Sequence, residues 1–199
     1  MPKLPTDILR RRIKHELDMC IRKLDHVMGI EDPQLKEFPI KVMVTLKNTP
    51  GPIVKKNKLD HKFTHQFKMM ITDEYPYEKP IVLWESLIFH PNIQLPQDGG
   101  HVCTKLLDTW NFQSNLLAFI KGIETLLANP NPKSPWGTNS CTRAAQYFNQ
   151  HLYSPPVQDT KARGPKIREP TSDEEVEEDD AEEEEEVEDE EDEDEGEEE

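Results

Sequence analysis

Apolar residues recur near the start of the chain at helical spacing. Ile13, Leu17, Ile21 and Leu24 follow at intervals of four, four and three. That pattern predicts one apolar stripe of an amphipathic helix over about 6–24. Thr6 after Pro5 reads as the N-cap, with Asp7 in the first turn. Arg10, Arg11, Arg12, Lys14, Arg22 and Lys23 give the helix a basic surface.

The period then changes to two. Phe38, Ile40, Val42, Val44 and Leu46 alternate with mostly polar partners, which predicts a half-buried strand. Thr49-Pro50-Gly51-Pro52 breaks the chain. A second alternating run has Phe63, Phe67, Met69 and Ile71 on one side and Thr64, Gln66, Lys68 and Thr72 on the other. Tyr75-Pro76 and Lys79-Pro80 bracket a turn, and Ile81-Val82-Leu83-Trp84 reads as a short buried strand. The segments predict an antiparallel meander of about four strands, packed on one face and wet on the other.

From 85 to 115 no long periodic element is legible. A stretch this long without structure of its own, inside a compact domain, is often functional. Ser114 then opens a strong helix with Leu116, Leu117, Ile120, Ile123, Leu126 and Leu127 on its apolar face, closed by Pro130 and Pro132. A last helix is predicted over 139–152, with Ala144, Ala145, Phe148 and Leu152 inward. Strands and helices are segregated along the chain, so the fold class is α+β.

Charge changes the picture of the chain's organisation. The net charge is −16, with 24 Lys and Arg against 40 Asp and Glu. From Glu169 onward there are 24 acidic residues and no basic ones, so 1–168 holds 40 − 24 = 16 acidic against 24 basic residues, about +8. The chain divides into a core domain at 1–153, a basic Pro-containing linker at 154–168 and an acidic tail at 169–199. The tail cannot bury enough apolar surface to offset chain entropy, so disorder is expected there. It would bind basic surfaces with strong salt dependence. Thr171 and Ser172 precede a run of acids that suits acid-directed kinases. The polyanion argues against nucleic acid as a partner.

No run of 18 apolar residues exists, so no membrane span is expected. The N-terminus lacks an apolar signal core, which argues against secretion. Cys20, Cys103 and Cys141 are far apart and odd in number, and no CxxC pair suggests zinc or redox chemistry. Free thiols in a reducing setting, cytoplasmic or nuclear, with no metal or cofactor, is the expectation. Cys20 and Cys141 read as packed residues.

The long loop carries His90-Pro91-Asn92-Ile93, then Cys103, then Trp110, and the next helix ends in Asn129-Pro130-Asn131-Pro132. In this order, after Tyr75-Pro76, the chain resembles the ubiquitin-conjugating enzyme family, whose fold runs from an N-terminal helix through a meander and an active-site loop to C-terminal helices. The resemblance implies an enzyme of an ATP-dependent pathway, and it implies the following roles. Cys103 accepts ubiquitin or a related modifier as a thioester, passed on from an activating enzyme, and gives it to a substrate lysine, usually with a ligase. Asn92 stabilises an oxyanion or holds the loop that shapes the site. His90 and Pro91 fix how Asn92 is presented. Ser134 stands where the family has an acidic or hydroxyl residue at the mouth of the site. It is no base at neutral pH, but it can order an amine or a water, and as a phosphorylation site it would bring charge there. Arg10, Arg11, Arg12 and Lys14 would meet the activating enzyme. Tyr77, Trp110 and Phe112 would dock a ligase, though Trp110 is equally consistent with core packing.

The chain departs from the family pattern in several places. The hairpin region 49–59 lacks the usual Tyr-x-Gly-Gly turn, which leaves the strand register there open. The spacing from Asn92 to Cys103 is about three residues longer than usual, and that from Cys103 to Trp110 one shorter. Asn111-Phe112-Gln113 replaces the common Ser-Pro-Ala. The segment 104–109 is short, with Asp108 as its only acid, which sets the chain apart from members with an acidic insertion. These features mark a divergent member and leave its modifier open. His101, two residues before Cys103, would share a face with it on an extended segment, the arrangement of a Cys–His pair. Two other readings are a non-catalytic modifier-binding adaptor, which the presence of Cys103 argues against, and an acidic-tailed binder of basic proteins.

Overall fold

The computed structural model describes residues 3–103 and 110–156. Residues 104–109, the linker beyond 156 and the acidic tail lie outside the described residues, and so do the expectations attached to them. One unit covers Met1–Asp159, and a second, Thr160–Glu199, falls wholly outside the described residues.

Helix α1 spans Thr6–Lys23. Its first residue is Thr6 itself. Pro5 holds the cap position without a side-chain cap bond, so the expected Thr6 cap is corrected. A proline is preset for a helix start and has no N–H to satisfy. Leu9, Ile13, Leu17 and Cys20 form the buried stripe. Ile21, expected on that stripe, is 49% exposed, because the 3.6-residue repeat carries the seam through Cys20 and Leu24 instead.

Strands β1 (Val27–Ile30), β2 (Ile40–Leu46), β5 (His65–Ile71) and β6 (Ile81–Trp84) form one antiparallel sheet in the order β1-β2-β5-β6. Strand β1 gave no sequence signal. Its burial alternates, with Met28 and Ile30 half-buried against the core, but Val27 and Gly29 are not polar, so no apolar/polar alternation marks it in the sequence. In β2 and β5 every second residue is buried: Ile40, Val42, Val44 and Leu46 face the core beside His65, Phe67, Met69 and Ile71. Val82 and Trp84 of β6 join them, while Ile81 is exposed. Each fully buried large apolar side chain contributes roughly 1.5–3 kcal/mol.

Strands β3 (Gly51–Lys55) and β4 (Lys58–Lys62) pair only with each other in a separate hairpin. Its turn residues Lys56 and Asn57 have φ of 50° and 61°. Two positive φ values match the right-handed twist of a tight hairpin, which fixes the register that sequence reasoning left open. Gly51 lies under the imidazole of His65, where a Cβ would come within 2.5 Å of the ring.

Helix α2 spans Leu116–Ala128 and lays Leu116, Phe119, Ile120, Ile123, Leu126 and Leu127 on the core. Its cap is Asn115, which accepts from the N–H of Ala118, so Ser114 stands one residue outside the expected start. Helix α3 (Asn139–Gln150) is capped by Thr138 and buries Cys141, Ala144, Ala145 and Phe148. Leu152, expected inward, lies past its end and is 97% exposed. No helix among the described residues is long and apolar enough to cross a membrane.

Between β6 and α2 the chain makes a tight return on itself. Trp84 N–H donates to Gly100 O at 2.7 Å, and Leu83 bridges to His101. Gly100 has φ of 66°, and a Cβ there would sit 2.6 Å from Trp84 O, so only glycine fits. Ile93 bridges to Val102, and Gln94 N–H donates to His101 O at 2.9 Å. Residues 92–94 and 101–103 therefore run antiparallel, joined by a turn containing the 3-10 segment Pro96–Asp98. The extra loop length noted in the sequence is absorbed in this turn.

Candidate active site

The antiparallel return sets Cys103 directly across from Asn92: its N–H donates to Asn92 O at 2.8 Å. The Cys103 side chain is half-exposed, whereas Cys20 and Cys141 are buried. Burial pushes the Cys20 thiol up to about 11 and raises that of Cys141, which favours the unreactive protonated form of both. Cys103 lines a cleft of about 240 Å³ with Asn92, Thr125, Leu126, Asn129, Asn131 and Ser134.

Asn92 is only 2% exposed. Its amide Nδ2 donates to Asn131 O at 3.0 Å and to Ser134 O at 2.9 Å, and its Oδ1 accepts from Asn131 N–H at 2.7 Å. Both amide hydrogens are thus committed to the loop after α2. In this geometry the Asn92 side chain ties its own loop to the loop after α2. His90 explains how Asn92 is presented. Its Nδ1 accepts from Asn92 N–H at 3.1 Å, which leaves Nε2–H to donate to Leu126 O at 3.1 Å. Complete burial lowers the imidazole to about 3, so it is a neutral spacer between the cleft and α2. Pro91 is buried and accepts from Trp136 N–H at 2.9 Å.

Ser134 is exposed, and its carbonyl receives the Asn92 amide. The His101 imidazole lies against the indole of Trp136, with centroids 6.1 Å apart. No described residue hydrogen-bonds the Cys103 sulfur, so a Cys–His pair is not formed. Among the described residues no cluster of His, Cys, Asp or Glu is arranged to hold a metal ion.

The expected partner-binding residues separate into two groups. Arg11 and Lys14 face solvent, Arg11 in an ion pair with Asp7 at 2.8 Å. Arg10 donates to Lys36 O. Arg12 is turned inward: it pairs with Glu16 at 2.8 Å, donates to the carbonyls of Phe112 and Ser114, and stacks 4.9 Å from the Phe112 ring. Tyr77 and Phe112 are exposed neighbours with ring centroids 5.5 Å apart. Trp110 is half-buried, stands edge-on to Phe119, and donates to Pro76 O at 2.8 Å. It braces the Tyr77 loop from beneath.

The motif pattern did not mark Trp136 or Glu16. Trp136 Nε1 donates to Asn92 O at 3.2 Å, and the indole also lines a larger groove, about 500 Å³, with Tyr77, Ile81, Val102 and Trp110. Glu16 is buried and accepts from Arg12, Tyr75 O–H and Leu116 N–H. Its helical phase, three residues after Ile13 and one before Leu17, was the available sign.

The family model described as ubiquitin-conjugating enzyme matches residues 31–158, well over half of the sequence, and includes the whole Asn92–Cys103 return. The chain belongs to the ubiquitin-conjugating enzyme family. A mimivirus relative, the probable ubiquitin-conjugating enzyme E2 L460 of Acanthamoeba polyphaga mimivirus, is 30% identical over 152 residues, covering 75% of this chain and 89% of that protein. The NEDD8-conjugating enzyme Ubc12 of Dictyostelium discoideum is 35% identical over 106 residues, covering 50% of this chain and 45% of that protein, so the match spans about half of its length. The solved structure of S. cerevisiae Ubc12 superposes with a TM-score of 0.55 at 25% identity, covering 75% of this chain and 74% of that one. The ubiquitin-conjugating fold accounts for the helix, sheet and later helices described above.

Proposed function

We propose that this chain is a conjugating enzyme that carries ubiquitin or a ubiquitin-like modifier as a thioester on Cys103. In loading, the Cys103 thiolate attacks the thioester carbonyl that joins the modifier to its activating enzyme. A new carbon–sulfur bond forms, and the activating enzyme's thiolate leaves. In transfer, a lysine amine attacks the same carbonyl, an amide forms, and the Cys103 thiolate leaves. The attacking amine gives up its proton to water or to a base at the mouth of the cleft. Asn92 acts by holding the 131–134 wall of the cleft, and the Ser134 hydroxyl orders the amine or a water at the mouth.

One observation carries the reading: of the three cysteines only Cys103 reaches an open cleft, beside the Asn92–Asn131–Ser134 network. The exposed basic face of α1, with Arg11 and Lys14, is the surface offered to the activating enzyme. The exposed Tyr77–Phe112 pair is the surface offered to a ligase. The relatives' names include both ubiquitin-conjugating and NEDD8-conjugating enzymes, so both modifiers belong in the test. The proposed location is the cytoplasm or nucleus.

Incubation with each modifier, its activating enzyme and ATP should give an adduct that a reducing agent removes. Cys103→Ala should abolish it, and Cys103→Ser should give a more durable ester. The same adduct on the Cys103→Ala protein would overturn the assignment.

A further inference from the structure

Five hydrogen bonds join the loop after α2 to just two residues, Pro91 and Asn92. Three run through the Asn92 side chain. The other two come from Trp136: its backbone N–H on Pro91 O at 2.9 Å and its indole N–H on Asn92 O at 3.2 Å. The Asn92 carbonyl has two lone pairs. One takes the Cys103 N–H at 2.8 Å and the other takes the indole. A single oxygen thus holds the backbone of the thiol-bearing residue and an indole two residues beyond the cleft-lining Ser134.

We infer that Trp136 is a positioning residue for transfer from Cys103. Through the Asn92 carbonyl its indole N–H keeps the Asn131–Ser134 wall at a fixed offset from the thioester. The inference rests on the proposed function of Cys103. It also separates the two half-reactions. Loading exchanges one sulfur for another at an accessible thiol. Transfer needs an amine held against the acyl carbon along one line of approach, and a displacement of about 1 Å in such an arrangement costs on the order of 100-fold. Loss of the indole bond alone leaves four of the five ties in place, so a partial loss is expected, about ten-fold.

The test does not depend on knowing the modifier. A fluorescent peptide ending in Gly-Gly, supplied as its mercaptoethanesulfonate thioester, is exchanged onto the full-length protein. The Cys103 sulfur takes the acyl group and mercaptoethanesulfonate leaves as the thiolate. After excess peptide is removed, L-lysine is added over a concentration series. Transfer forms the amide, releases the Cys103 thiolate and passes the amine proton to buffer. Two variants are compared with the wild type: Trp136→Phe, and Trp136 replaced by β-(3-benzothienyl)alanine, which removes the ring N–H while keeping the bicyclic shape.

The expected result is loading within about two-fold of wild type, an unchanged KM for lysine and a maximal transfer rate about ten-fold lower. The isostere should show this with an unchanged thermal midpoint, which a purely structural role would not produce. Wild-type transfer by both variants, or loading that falls in step with transfer, overturns the inference and leaves the role of Cys103 standing. A wild-type chain that forms no thioester on Cys103 overturns both.

Discussion

Cys103 and Asn92 face one another across an antiparallel return, with the cysteine N–H 2.8 Å from the asparagine carbonyl. Of the ten residues between them, 93–94 and 101–102 continue the antiparallel arms, and 95–100 form a turn that docks back on Trp84. The thiol therefore depends on Asn92 twice: through its carbonyl, which orients the cysteine backbone, and through its amide, which holds the opposite wall.

Substitution of Asn92 should divide these effects. Asn92→Ala keeps the carbonyl and removes the amide, so three part-buried hydrogen bonds to the Asn131 and Ser134 backbone are lost, each worth about 0.5–1.5 kcal/mol net. Loading of Cys103 should persist, while single-turnover transfer to lysine should fall by roughly ten-fold or more, as expected for lost positioning. A parallel loss of loading would show that the amide also holds the thiol.

The cysteines should differ sharply in reactivity. Under native conditions iodoacetamide should modify Cys103 first, since Cys20 and Cys141 are buried with raised thiol pKa values. Peptide mass mapping over a time course reads the order, and in denaturant all three should react alike.

Acid should weaken the fold before carboxylates titrate. Burial lowers His90 to about 3 and His65 to about 4, against roughly 6.5 for an unfolded histidine. Both are neutral in the folded state at pH 5, while the unfolded chain binds a proton at each. Their contribution is fully present above about pH 6.5 and declines as pH falls towards their folded values. By linkage each should remove roughly 2 kcal/mol between pH 7 and pH 5. Urea midpoints at the two pH values measure the sum, and His65→Gln and His90→Gln should flatten the slope between them.

The buried Glu16 joins α1, the Tyr75 turn and the first residue of α2. Glu16→Ala should lower stability by about 3–5 kcal/mol, because it leaves the partly buried Arg12 guanidinium unpaired beside the Tyr75 hydroxyl. Glu16→Gln should cost less, since a neutral amide oxygen still accepts from Leu116 N–H. Denaturant titration of the two variants distinguishes a buried-charge effect from simple loss of packing.

Much of the architecture was legible because it repeats locally. The alternation in β2 and β5 and the stripes of α1 and α2 follow from side-chain periods of two and 3.6 residues. The failures have local causes as well. Strand β1 alternates in burial but not in sequence, since its outward residues are Val27 and Gly29 and not polar ones. Ile21 and Leu152 are apolar residues whose phase or position carries them off the core. The hairpin at 51–62 was obscured because its turn is Lys56-Asn57 and not a glycine pair, although asparagine tolerates the required backbone.

The sequence by itself determined the fold class, the family and the order of His90, Pro91, Asn92, Cys103 and Ser134. These are carried by neighbouring residues and by motif order. Only the tertiary structure decided what each side chain touches. Asn92 meets a carbonyl 42 residues away, Trp136 reaches back 44 residues to share an acceptor with Cys103, and Glu16 accepts from the first N–H of a helix 100 residues downstream. The same packing turned Arg12 from a surface cation into an internal tie. No local period encodes such partners. They are selected when the core closes and each buried polar group must find a donor or acceptor among the groups brought near it.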